Sequence, residues 1–180
     1  YATNDDDGST VLLCHFEGSD AATSGDGFLD SSATSVHSLT VVGTAQIDTA
    51  QYKWGASSLL LDGNSDRINV SDSTDFDWDG AFTVEAWVRF SSLSGWQQVV
   101  NSATANTTFF RLAWKGATNE WALAVMNTAF YLSDSLSIDT WYHVALTRDG
   151  SNVCRFYRDG VHKGNSTISG TVTNTGGLTI

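Results

Sequence analysis

The sequence predicts an all-β fold in which antiparallel sheets stack as a sandwich or close as a barrel. Three observations predict it. Short runs rich in Val, Leu, Phe, Tyr, Trp and Thr recur about every 8–12 residues. No segment sustains an apolar period near ~3.6. The runs are separated by Gly, Asp, Asn and Ser clusters in a chain of 180 residues with 16 Gly and no Pro. That length suits one domain with a sizeable core.

The elements follow in order. "STVLLCHFEG" reads as a strand ending near Gly18, and "SDAATSGDGFLDSSATS" as a long polar loop. "VHSLTVVGTAQI" gives one or two short strands, and "YKWGASSLLLDGNSDRINV" two strands joined at "DGNSD". "DSTDFDWDG" is an acidic turn region. "AFTVEAWVRF" alternates most clearly: Phe82, Val84, Ala86, Val88 and Phe90 form an apolar face, with Glu85, Trp87 and Arg89 opposite. Strands follow at "WQQVVNS", "TTFFRLAWK", "EWALAVMN", "AFYLSD", "TWYHVALTR", "VCRFYR" and "VHKG". In "YHVALTR", positions 142, 144, 146 and 148 share one face, and His143, Ala145 and Thr147 the other. Asp159-Gly160 predicts a type I′ hairpin joining Val153–Arg158 to Val161–Lys163, because both central residues need positive φ.

The net charge is −11, with only nine Lys and Arg, and these do not cluster. A phosphate-binding stripe is excluded on those grounds, so no nucleic-acid partner is expected. No apolar run approaches the ~20 residues that span a bilayer as a helix, so no membrane insertion is expected. An acidic surface keeps a protein soluble and also suits a hard cation such as calcium. Cys14 and Cys154 match no zinc spacing. Either they form one long-loop disulfide in an oxidising compartment, or they are buried free thiols.

No catalytic pattern is present. A retaining glycosidase needs two carboxylates facing one sugar. The three Glu, at positions 17, 85 and 120, stand in separate segments, and Trp87 and Arg89 follow Glu85 on its face. "DFDWDG" begins like a calcium-binding EF-hand loop, but position 12 counted from Asp75 is Ala86, and a strand follows where a helix is required. The expectation is therefore of no enzyme. Sequons at Asn69, Asn106 and Asn165 arise readily in so Ser/Thr/Asn-rich a chain.

Sugars stack their C–H faces on aromatic rings and take directed hydrogen bonds from polar neighbours. The candidate ligand contacts are accordingly Glu85, Trp87 and Arg89, with His143 supplied by an adjacent strand. Rim candidates are Trp96, Trp114, Trp121 and Tyr131.

"WYHVALTRDG…RFYRDGV" resembles the signature of laminin G-like jelly rolls in the concanavalin A-like lectin/glucanase superfamily. "VLLCHFEG", "WGASSLLLDGNSDRINV" and "FTVEAWVRF" resemble, in the same order, other strands of that family, so the likeness covers essentially the whole chain. The resemblance implies a two-sheet jelly roll over residues 1–180 that binds glycans, proteins or calcium. It also implies a calcium ion held by Glu17, Asp62 and Asp66. Family members continue past "GGLTI", so the chain is expected to be a fragment, or to associate with itself through an open sheet edge. The function expected from this resemblance is non-enzymatic recognition of glycans or cell-surface polysaccharide, on an extracellular, cell-surface or virion protein. A packing domain of a fibre, capsid or filament is the alternative, and an ancillary domain of a polysaccharide-degrading enzyme a third.

Overall fold

The computed structural model describes residues 8–33, 36–78, 80–104, 107–171 and 176–180. The chain divides into two compact units, one running to Ser71 and including Thr179 and Ile180, the other spanning Asp72–Leu178.

The first unit is built from short strands. β1 (Leu39–Val42) lies antiparallel to β4 (Arg67–Val70), with Leu39 opposite Val70. β2 (Gln46–Asp48) pairs with β3 (Ser58–Leu60). The two strands flanking "DGNSD" therefore find separate partners. Ile68 and Ile180 exchange backbone hydrogen bonds of 2.8 and 3.0 Å. Phe28, Ala45, Ile47 and Ile68 form a small core, covered by Phe16, Val41, Leu59 and Ile180 among others.

The strand expected over residues 9–18 does not form. Its apolar content is real, but its backbone pairs with side chains instead of a neighbouring strand. Leu13 donates to Asp30 Oδ1 at 3.0 Å, and Gly18 donates to Ser57 Oγ at 3.0 Å. Phe16 adopts φ 55°, which breaks the extended run.

The second unit holds two four-stranded antiparallel arrays. One runs in the order β12 (Val161–Thr167), β11 (Val153–Arg158), β10 (Trp141–Arg148), β5 (Phe82–Arg89). The other is a meander of β6 (Trp96–Thr104), β7 (Thr107–Lys115), β8 (Glu120–Val125) and β9 (Thr128–Ser133). Their inner faces meet in a core of Phe110, Leu112, Trp114, Trp121, Leu123, Val125, Val144, Leu146 and Phe156 among others. Phe82, Val84, Ala86, Val88 and Phe90 pack against that core, as the alternation predicts.

The Asp159-Gly160 turn has φ 51° and 76°, the positive pair that a type I′ hairpin requires. β12 runs on to Thr167, beyond the expected Lys163. Arg148 follows Tyr142, Val144 and Leu146 on the inward face, yet it is a cation at 2% exposure. It donates to the Gly80 and Gly170 carbonyls at 3.2 and 2.8 Å and to Asn152 Oδ1. A buried charge survives only with such partners.

The EF-hand look-alike is a single 3-10 turn, Thr74–Phe76, followed by β5, which fits its rejection. Asp79 of that motif and the Asn106 sequon lie outside the described residues.

Candidate functional site

Side chains that face away from the core of the second unit form two surfaces. The first belongs to β5 and β10. Cross-strand register sets His143 opposite Trp87, Trp141 opposite Arg89 and Ala145 opposite Glu85. The Trp87 and His143 rings lie 5.2 Å apart, and His143 Nε2 stands 3.7 Å from Glu85 Oε2. Arg89 is tied to Asp139 at 2.9 Å. The structure thus gathers Glu85, Trp87, Arg89 and His143 on one face, and the aromatic and ionic groups there already engage one another.

The second surface belongs to β6–β9. Opposed residues share a face, and the register gives Trp96–Lys115–Glu120, Gln98–Ala113–Ala122–Tyr131 and Asn101–Arg111–Ala124 as cross-strand rows. Ala113, Ala122 and Ala124 turn away from the core, yet are only 0%, 1% and 3% exposed. The middle of the face is thus made of small residues that neighbouring groups cover. Trp96 and Tyr131, each 47% exposed, stand at its two sides. β6 and β9 are three strand spacings apart, roughly 14 Å, enough for more than one sugar ring. The Arg111 guanidinium lies 5.3 Å from the Trp96 ring centre, and Lys115 Nζ lies 5.3 Å from that of Tyr131. Such cation–π contacts hold both rings in place.

Trp114 and Trp121 do not belong to any rim. Both are 0% exposed and meet edge to face at 5.6 Å across β7 and β8. The correction has a physical reason. Trp114 shares the apolar parity of Phe110 and Leu112, and Trp121 that of Leu123 and Val125, so alternation turns both inward. Their indole N–H groups stay satisfied in the core by Leu93 O and Asp134 Oδ2, each at 3.2 Å.

Asp134 is a centre that the sequence does not announce. Its side chain, 4% exposed, accepts from Arg158 at 2.7 and 3.1 Å and from Lys163 at 2.8 Å. Burial alone would raise its pKa, but the bonds from Arg158, Lys163, the Ser135 N–H and Trp121 outweigh it and hold the carboxyl at about 2. Asp30 of the first unit behaves alike. Burial raises its pKa, while N–H donors from Leu13, Ser32 and His37 and the His37 ring at 2.9 Å bring it down to about 2.

The residues expected to hold calcium are each engaged by protein donors. Glu17 receives the Ala56 N–H at 3.3 and 3.1 Å, and Gly55 must be glycine because a Cβ there would lie 1.4 Å from Glu17 Oε1. The "WGASS" stretch is thus a clamp on Glu17. Asp66 receives the Thr44 N–H at 2.6 Å, the Thr44 hydroxyl at 3.3 and 3.2 Å from its two oxygens and the Asp62 N–H at 3.1 Å. Asp62 accepts from the Asn64 N–H at 2.7 Å, as a turn aspartate does. Among the described residues no group of three or more His, Cys, Asp or Glu side chains could hold a metal ion. Of the two alternatives for the cysteines, Cys14 and Cys154 stand as free thiols. Burial, reinforced by Asp30, pushes the Cys14 thiol up to about 12.

No curated protein matches the chain. Among solved structures, the binding domain of Paraclostridial mosquitocidal protein 1 superposes with a TM-score of 0.66 at 16% identity, over 84% of this chain and 40% of that one. The botulinum neurotoxin serotype D ligand binding domain in complex with N-acetylneuraminic acid gives 0.64 at 19% identity, over 84% and 39%. A candidate carbohydrate binding protein from Bacteroides ovatus gives 0.53 at 22% identity, over 63% and 34%. The chain therefore spans less than half the length of these structures, and the likeness is one of fold. A family model for the concanavalin A-like lectin/glucanases matches residues 62–180. With that match and its nearly all-β antiparallel fold, the chain belongs to the concanavalin A-like lectin/glucanases superfamily, in the jelly-roll class that the resemblance implies.

Proposed function

We propose that the chain is a non-catalytic glycan-recognition module and that sugar lies on the outer face of β6–β9. One observation carries the reading. Trp96 and Tyr131, both half exposed, stand on one sheet face on either side of a row of small residues. Two flat rings on one face offer stacking surfaces for the C–H faces of sugars. Asn101 adds a buried Oδ1 with no hydrogen-bond partner, on the same face by its register with Arg111. A buried acceptor left unmade is costly, and a sugar hydroxyl would satisfy it.

The β5–β10 face is the weaker candidate, because Trp87 already contacts His143 and Arg89 already holds Asp139. Recognition without catalysis is supported by the three Glu. Glu17 is clamped by Ala56, Glu85 faces His143, and Glu120 accepts from the Thr118 hydroxyl, so none faces a second Glu. The printed names of the structural neighbours are those of binding domains, which agrees with this reading and with a place outside the cell.

The test is a glycan array on the purified, folded chain, run with calcium and again with a chelator. Binding in both conditions is expected, because the carboxylates once assigned to calcium are engaged by backbone N–H groups. Binding lost with chelator would restore a metal to the recognition step. No binding in either condition would remove the glycan reading.

A further inference from the structure

We infer that the glycan recognised on the β6–β9 face is acidic, a sugar carrying a carboxylate; the inference rests on the site proposed above. The chain is strongly anionic, with 20 Asp and Glu against nine Lys and Arg. Its long-range field repels anions. Yet Arg111 and Lys115 stand on this one face, each beside one of the two exposed rings. Lys115 has no carboxylate within 4.0 Å among the described residues, although Glu120 lies opposite it across the strands. Glu120 is engaged instead by the Thr118 hydroxyl.

The charge contrast with the first face is informative. There Arg89 is joined to Asp139 and His143 faces Glu85, so its cationic groups have anionic partners. On β6–β9, among the described residues, the Lys115 ammonium meets only the π face of Tyr131. A ring-held ammonium keeps donors free, and a ligand carboxylate can accept them while the sugar ring stacks on Tyr131. Arg111 lies against the Trp96 ring and opposite Asn101 in register, so a second cation stands near the other exposed ring. The two ends thus combine stacking with cations, an arrangement that favours an anionic pyranose over a neutral one.

The inference is tested by calorimetry on the full chain with four probes. They are sialyllactose, an oligouronate, and each of these with its carboxyl reduced to an alcohol. At least one acid form is expected to bind at least about tenfold tighter than its reduced counterpart. The advantage is expected to shrink as salt is raised, because the pair is solvent-exposed. Lys115→Gln is expected to bring the acid and reduced forms to similar affinity, whatever the loss of its contact with Tyr131 costs both. Which acid form binds separates a sialic acid from a uronic acid. Equal affinity for acid and reduced forms would overturn the inference and leave glycan recognition standing. An array on which only neutral glycans bind would overturn it too. No affinity for any glycan, by a chain shown to be folded, would overturn both.

Discussion

Asp134 takes four kinds of donor at once, from Arg158, Lys163, Trp121 and the Ser135 backbone. Removing it leaves two cations and a buried indole N–H without their acceptor. Asp134→Ala is expected to cost about 3 kcal/mol or more, read from urea unfolding. The pH dependence has the same origin. Asp134 and Asp30 have folded pKa values of about 2, below the ordinary 3.8 of an aspartate. A depressed carboxyl contributes stability that is fully present above the unfolded value and is lost as pH falls through the folded one. The urea midpoint is therefore expected to hold between pH 7 and 5 and to drop steeply between about pH 4 and 2. A midpoint flat to pH 2 would contradict both assignments. The thiols give a third expectation. Cys14 and Cys154 are free and burial raises both pKa values, so a thiol reagent should react slowly with folded protein and with both on unfolding, without reductant. None of these networks was legible in the sequence. The side-chain partners of Asp134 lie 13 to 29 residues away, and only the fold brings them together.

Legibility was greater at the scale of the element. Alternation in β5 and the Asp159-Gly160 turn identified strand, face and hairpin, because each signal is local. The same alternation in "FFRLAWK" and "EWALAV" already separates buried Trp114 and Trp121 from outward Arg111 and Lys115; aromatic content by itself does not. Residues 9–18 were misread because an apolar run carries no sign that its donors will go to Asp30 and Ser57. Trp96 was harder to orient because β6 changes register between Gln98 and Val100, which shifts the parity along the strand. Gly164 of β12 illustrates what packing adds. A Cβ there would lie 2.5 Å from Leu132 Cδ2 of β9, so the strand needs a residue with no side chain. Gly164→Val is expected to destabilise by about 1–3 kcal/mol through overpacking. An unchanged thermal midpoint would show that β9 can yield at Leu132.

For the whole molecule, the sequence named the superfamily through four stretches in order, and residues 62–180 bear that out. It did not choose between the two outward faces, because both carry an exposed Trp. The choice rests on which groups the fold has already engaged. The measurement that tests it most directly is a titration of one array-positive oligosaccharide against the wild-type chain and the variants Trp96→Ala, Tyr131→Ala and Trp87→Ala. Each ring removed from the β6–β9 face is expected to weaken binding by about tenfold, while Trp87→Ala binds as the wild type does. Binding lost in Trp87→Ala and kept in the other two would contradict the account and move recognition to the β5–β10 face.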